Sequence, residues 1–210
     1  MGTVAQHAVT GLRRALISGD LVPGDRIGQE QIAASLGVSL APVREALATL
    51  EQEGQVTYRP RRGYFVTELD IADLHEIYEL RALLEARAAV AALAQLDADA
   101  IERIDLAARD CADAAGAGEI AAELEANRRF HFGILDAPDQ QHTMRLIRLL
   151  WDSTETYRAY YYNAPEARRQ SLRAHDRIVA AIRSADADRL VAELDRHRGE
   201  ALTHLRRSLA

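Results

Sequence analysis

Residues 36–66 read LGVSLAPVREALATLEQEGQVTYRPRRGYFV, and this stretch decides the fold of the amino-terminal third. Gly37 suits the end of one helix and Ser39 the N-cap of the next, so only a tight turn separates them. Across residues 40–53, Val43, Ala46, Leu47 and Leu50 recur at helical spacing. Pro42 falls in the first turn, where a missing N–H is tolerated, and Gly54 stops the helix. Residues 55–59 and 64–67 are strand-prone and flank Pro60-Arg61-Arg62-Gly63, which predicts a hairpin with a basic tip.

Upstream, Val9, Leu12, Leu16 and Ile17 form the apolar stripe of a first helix, ended by Gly19 and Pro23-Gly24. A short second helix spans residues 30–36 with Ile32, Ala33 and Leu36 inward. The order helix, helix–turn–helix, basic hairpin is that of a winged helix-turn-helix. The major groove of DNA admits one helix, so residues 40–53 would read it. The arginine-bearing tip would lie on the backbone or in the minor groove, where a narrow negative channel favours Arg, and Gly63 permits close approach.

Residues 70–210 read as helices throughout. Leu74, Ile77, Leu80, Leu83 and Leu84 mark the first, and Asp97 or Asp99 opens a second that Gly116–Gly118 breaks. Further helices are expected at 119–135, 140–162, 166–183 and 187–209. Asp136-Ala-Pro-Asp139 and Asn163-Ala-Pro-Glu166 repeat one start signal: a capping residue, Pro in the first turn, and an acid three residues on. Short loops between long helices imply an antiparallel up-and-down bundle. The expected fold class is therefore mainly α, with a reading head at 1–69 and an all-helical effector-binding and dimerisation domain at 70–210.

Composition agrees and excludes other classes. Hydrophobic residues make up 48% and charged residues 28% of the 210, so a packed protein rather than a disordered one is expected. A single cysteine, Cys111, rules out an internal disulfide framework and a cysteine-based zinc finger. No apolar run reaches membrane-spanning length and no secretion signal opens the chain, so a cytoplasmic protein with no membrane partner is expected. The net charge of −6 argues against a generic nucleic-acid coat. Residues 1–69, however, hold seven Arg against seven acids, while residues 70–210 hold 19 Arg against 25 acids, so the deficit lies in the second part.

Three of the seven histidines form a pattern with one asparagine. Asn127 and His131 are four apart and share a helix face. His175 lies about 10 residues before the turn near residues 184–185 and His197 about 12 after it, so both stand roughly 15–18 Å from that turn, level with each other. If the 119–135 helix packs beside that hairpin, three imidazoles and one amide oxygen converge. Such a set suits Zn²⁺, Ni²⁺ or a similar divalent ion with open positions for a ligand. Arg81 and Glu85 are one turn apart: either a salt bridge, or an inward arginine forking onto a ligand carboxylate. Aromatics concentrate near the end of the 140–162 helix, where Tyr161 and Arg158 could line a polar cavity.

Residues 9–67 resemble the winged-helix domain of the GntR family of bacterial transcription regulators. The stretches that carry this are Leu21-Val-Pro-Gly-Asp-Arg-Ile27, Leu36-Gly-Val-Ser39, Pro42-Val-Arg-Glu-Ala-Leu47, Leu50-Glu-Gln-Glu-Gly54 and Arg61-Arg-Gly-Tyr-Phe-Val66. Residues 70–208 resemble the all-helical FCD effector domain of its FadR-type branch, through Leu80-Arg81-Ala-Leu-Leu-Glu85, Asn127-Arg-Arg-Phe-His131, His175-Asp-Arg-Ile-Val and Asp195-Arg-His197. The resemblance implies a homodimer on palindromic double-stranded operator DNA, acting as a ligand-responsive repressor rather than an enzyme. It also implies a metal-dependent pocket for a small organic acid. Carried over, DNA contacts fall on Ser39, Arg44, Arg62 and Gly63, beside Arg61. Metal ligands fall on Asn127, His131, His175 and His197, and the carboxylate anchor on Arg81. The chain departs from the family pattern at Glu30 and Leu40, where Arg is usual, and at Asn127, where Asp is commoner. A regulator that senses the metal itself and a helical-bundle metalloenzyme are the alternatives. The second lacks a His-Glu-x-x-His motif.

Overall fold

The computed structural model describes residues 3–68, 70–136, 139–162 and 164–209. By internal contacts the chain forms two units, residues 1–70 with 151–156, and residues 71–150 with 157–210.

In the first unit, α1 (Val4–Ser18) starts at Thr3, whose hydroxyl accepts the Gln6 N–H at 3.2 Å, and ends at Gly19. It buries Ala8, Val9, Leu12 and Leu16 against α3 (Leu40–Gln52), which contributes Val43, Ala46, Leu47 and Leu50. Between them α2 (Gln29–Leu36) ends at Gly37, whose φ of 65° is the left-handed turn a side chain would resist. This small core is closed by Ile27, Ala33, Val56 and Val66. Strands β1 (Val56–Arg59) and β2 (Gly63–Val66) pair antiparallel with Arg59 opposite Gly63, so Pro60, Arg61 and Arg62 form the loop. The structure adds a feature that the strand signals do not reveal. The segment before α2 runs alongside β2: Ile27 N–H donates to the Tyr64 carbonyl at 2.9 Å, Val66 N–H to Asp25 at 2.9 Å, and Arg26 pairs with Phe65.

The second unit contains α4 (Ile71–Leu93), α5 (Ala98–Ala117), α6 (Ile120–Leu135), α9 (Pro165–Arg183) and α10 (Ala187–Leu209), with α7 (Gln141–Ser153) up to residue 150 and α8 (Glu155–Tyr162) from residue 157. Five of them close a ring by successive contact: α4 on α6, α6 on α5, α5 on α9, α9 on α10, and α10 back on α4. Where α5 meets α6 the approach is close, since a Cβ at Gly133 would stand 3.0 Å from Ile104 Cγ1.

Two expectations need correction. The single helix expected at 140–162 is broken at Thr154, whose N–H and hydroxyl both turn back onto the Trp151 carbonyl, at 3.3 and 3.2 Å. A buried hydroxyl bonding backward competes with helix propagation, which apolar periodicity does not register. The repeated start signal is also not realised as expected. Ala164, without a capping side chain, is the N-cap of α9, with Pro165 in the first turn. Ala137, Pro138 and Asn163 lie outside the described residues.

Candidate metal centre and nucleic-acid face

On the first unit, the buried stripe of α3 leaves Ala41, Arg44, Glu45 and Ala48 exposed. Ser39 is the N-cap by backbone (φ −78°, ψ 171°), yet its hydroxyl makes no capping bond and the residue is exposed. Arg44 is exposed and its Nε donates to Gln29 Oε1 at 3.3 Å, which holds the guanidinium against the first residue of α2. At the hairpin tip Arg61 and Arg62 are exposed. Gly63 has φ 94°, and Arg61 itself takes φ 64°, uncommon for a residue with a Cβ. The buried Phe65 ring organises the tip: the Arg59 and Arg62 guanidinium carbons lie 4.4 and 5.5 Å from its centroid.

In the second unit the ring of helices brings together His131 from α6, His175 from α9 and His197 from α10, all buried. One ligating nitrogen from each lies within 4.8 Å of the others. The centroids are 5.5 Å apart for His131–His175 and 5.2 Å for the other two pairs, and the His131 and His197 planes are stacked at 6°. Both ring nitrogens of His175, and Nδ1 of His197, are buried without a hydrogen-bond partner among the described residues. A buried polar atom left unpaired costs about 1–3 kcal/mol, so two adjacent rings in that state are a lone-pair cluster in want of an electrophile. Two nitrogens at about 2.1 Å from one ion can stand no more than about 4.2 Å apart, so small side-chain rotations separate this arrangement from ligation. Burial lowers the pKa of all three imidazoles; neighbouring imidazoles add to this at His131 and His175, and Arg81 and Arg198 add to it at His131 and at His197, which falls to about 4. They are therefore neutral donors near pH 7. The residues fit a borderline divalent ion. Cys111 does not compete, because its thiol is buried and pushed up to about 12.

The other expected site residues take these places. Asn127 is buried one turn before His131, and its Oδ1 accepts the Tyr162 hydroxyl at 2.9 Å, which leaves that oxygen's second lone pair. Arg81 is buried and its Nε donates to Glu85 Oε1 at 2.8 Å, with the guanidinium carbon 5.0 Å from the Tyr78 centroid. Arg158 and Tyr161 are buried, and the Tyr161 hydroxyl donates to the Ala167 carbonyl at 2.9 Å. A surface cleft of about 790 Å³ between α5 and α9 has His175 in its lining, beside Asp105, Arg109, Asp176 and Arg183.

Two features escape the linear reading. Arg198, next in sequence to His197, binds the far oxygen of Glu85, so Glu85 bridges two buried arginines from α4 and α10. Glu123 is fully buried on α6, 3.0 Å from Arg168 Nε, but that N–H is directed to the Tyr162 carbonyl at 3.2 Å. Among the described residues neither Glu123 oxygen has an aligned donor, and burial raises its pKa to about 7 against the attraction of Arg168. The adjacency of Arg198 to a candidate ligand is a signal for the first; nothing in sequence marks the second.

Comparison with known proteins agrees with this architecture. Residues 4–66 match the family described as bacterial regulatory proteins, gntR family, and residues 76–200 match the FCD domain. The chain is 30% identical over 191 residues to the Nta operon transcriptional regulator of Aminobacter aminovorans, covering 88% of each. It is 27% identical over 199 residues to the HTH-type transcriptional regulator YdhC of Bacillus subtilis, covering 94% of this chain and 89% of the relative. The solved structure of E. coli McbR/YncC is similar in fold, with a TM-score of 0.86 at 24% identity and full coverage of both chains. Among the described residues no helix is long and apolar enough to cross a membrane.

Proposed function

Because this chain belongs to the GntR family of bacterial transcriptional regulators, with an FCD domain behind its DNA-binding domain, we propose that it is a dimeric cytoplasmic repressor released from its operator by a small organic acid held at a divalent metal. The family consists of regulators and not enzymes, which sets the metalloenzyme alternative aside.

The observation that carries the metal reading is the convergence of three buried, neutral imidazoles, of which His175 and His197 hold ring nitrogens with no hydrogen-bond partner among the described residues. Zn²⁺ or Ni²⁺ suits an all-imidazole set, with the Asn127 oxygen as a neutral fourth ligand. Bound there, the ion supplies a Lewis-acid anchor for carboxylate oxygens. The protein's own contribution is charge and access. Arg81, with Arg158 and Tyr161, forms the anion-holding set, and the α5–α9 cleft that reaches His175 offers a way in. Arg81 already serves Glu85, so a second carboxylate must share or displace that partner.

Ser39, Arg44, Arg61, Arg62 and Gly63 form the DNA-contacting set: the first four are exposed at the start of α3, on it and at the hairpin tip, and the half-buried Gly63 presents bare backbone beside them. Support for a dimer comes from exposed apolar side chains on two helices: Leu80, Leu83 and Val90 on α4, and Leu146 and Leu149 on α7, all at least 41% exposed. Such stripes on a soluble regulator mark an interaction face. Arg87 of α4 bonds Gln140 just before α7, which ties the two helices together at that face.

Metal analysis followed by thermal unfolding across mono- and dicarboxylic acids, with and without ion, tests this reading. Stoichiometric metal and an acid that raises the melting temperature only in the metal-loaded protein are expected. Purified protein that takes up neither Zn²⁺ nor Ni²⁺ refutes it. Metal alone shifting DNA affinity, with every acid silent, favours a metal-responsive regulator instead.

A further inference from the structure

The segment that runs beside β2 carries an arginine that no DNA-contact pattern above includes. Arg26 is exposed, and its backbone pairs with Phe65. Its Nε donates to the Arg62 carbonyl at 3.0 Å, the one carbonyl between the strained Arg61 and Gly63. Its two terminal nitrogens have no partner among the described residues. The Nε also stands 4.0 Å from where a Gly63 Cβ would be, so the guanidinium lies against the bare backbone of the tip. Arg59 and Arg62 flank the same Phe65 ring. Three guanidinium groups from two separate stretches of chain thus gather on one hairpin end, with no acidic partner for Arg26, Arg59, Arg61 or Arg62 among the ion pairs of the described residues.

We propose that Arg26 is a phosphate-binding residue of the DNA-reading head, its guanidinium held in place by the Arg62 carbonyl and presented with Arg62 as a paired clamp on one strand of the duplex. A free surface arginine loses side-chain entropy on meeting a phosphate, whereas one already tethered through Nε retains its two outer N–H groups in a fixed fork. Clustered cations with no internal acid are discharged by releasing counterions from DNA. The contact carries no base information and sets register only.

This rests on the reading that the hairpin meets DNA, and the experiment separates the two. Full-length protein is titrated with a mixed-sequence 30-base-pair duplex over a range of salt concentrations, for the wild type, Arg26→Gln and Arg26→Lys. Gln can still donate to the Arg62 carbonyl but is uncharged; Lys keeps the charge. The expected result is that Arg26→Gln lowers the slope of log affinity against log salt by about one unit per protomer engaged, while Arg26→Lys keeps it. A wild-type slope in Arg26→Gln overturns the proposal, as does an equal loss of slope in both variants, which would make Arg26 a structural brace. Absence of salt-dependent binding by the wild type would overturn the DNA reading itself. Far-ultraviolet circular dichroism confirms folding, and should Arg26→Gln not fold, Arg26→Met takes its place with the same expectation.

Discussion

Replacing Glu85 by Gln should destabilise the helical unit by about 3 kcal/mol. Glu85 is 1% exposed, and it bridges Arg81 (4% exposed) and Arg198 (6% exposed). With charge centres about 4 Å apart and an effective dielectric constant of about 20, each pair is worth about 4 kcal/mol of attraction. Much of that sum only offsets the removal of the carboxylate from water, and breaking a buried pair typically costs about 3–5 kcal/mol because a charge is left behind. Gln keeps the shape and one acceptor, and the half-exposed Asp195 still faces Arg198, so the lower end applies. For a unit of this size the loss corresponds to a fall of about 10 °C in melting temperature. Urea unfolding of metal-free protein, followed at 222 nm, measures it. A companion variant with Arg81→Met, Glu85→Leu and Arg198→Met should return to within about 1 kcal/mol of wild type, since an apolar set removes the desolvation cost with the attraction. A stability within about 0.5 kcal/mol of wild type for Glu85→Gln would mean that both guanidinium groups are served by water and that the Glu85 bridge contributes little.

Glu123 gives a pH signature. Its folded pKa of about 7 lies above the unfolded value of 4.5, so its contribution is fully present below pH 4.5 and lost as pH rises through 7. Glu123→Gln should match wild type at pH 4.5 and exceed it by up to about 3 kcal/mol at pH 8; a pH-independent difference in unfolding free energy would contradict the assignment. Saturating Zn²⁺ at 100 times its dissociation constant should add about 2.7 kcal/mol to the wild type, and chelation should remove it. His175→Ala should abolish that increment in calorimetry, and an undiminished increment would remove His175 from the ligand set. Arg44→Ala should leave the melting temperature unchanged, because the side chain is exposed. It should also weaken binding to a duplex selected from a random library by about 1–3 kcal/mol, measured by fluorescence anisotropy; equal affinity would take Arg44 off the groove.

Local patterning was enough for the order of elements apart from the break within 140–162, the buried stripe of α3, the hairpin tip and the level of His175 against His197. Each of these follows from a local rule: a 3.6-residue period, a capping residue, a left-handed glycine, or a fixed rise per residue along two helices joined by a short turn. Packing alone set the partners that lie far apart in the chain. Arg198 reaching Glu85, Tyr162 reaching Asn127 and Arg26 reaching the Arg62 carbonyl depend on which helix or loop packs beside which, and on where a buried hydroxyl finds its acceptor. Periodicity states which face of an element is turned inward. It carries no information about what stands opposite, and that is where the charges and donor atoms of this regulator acquire their chemistry.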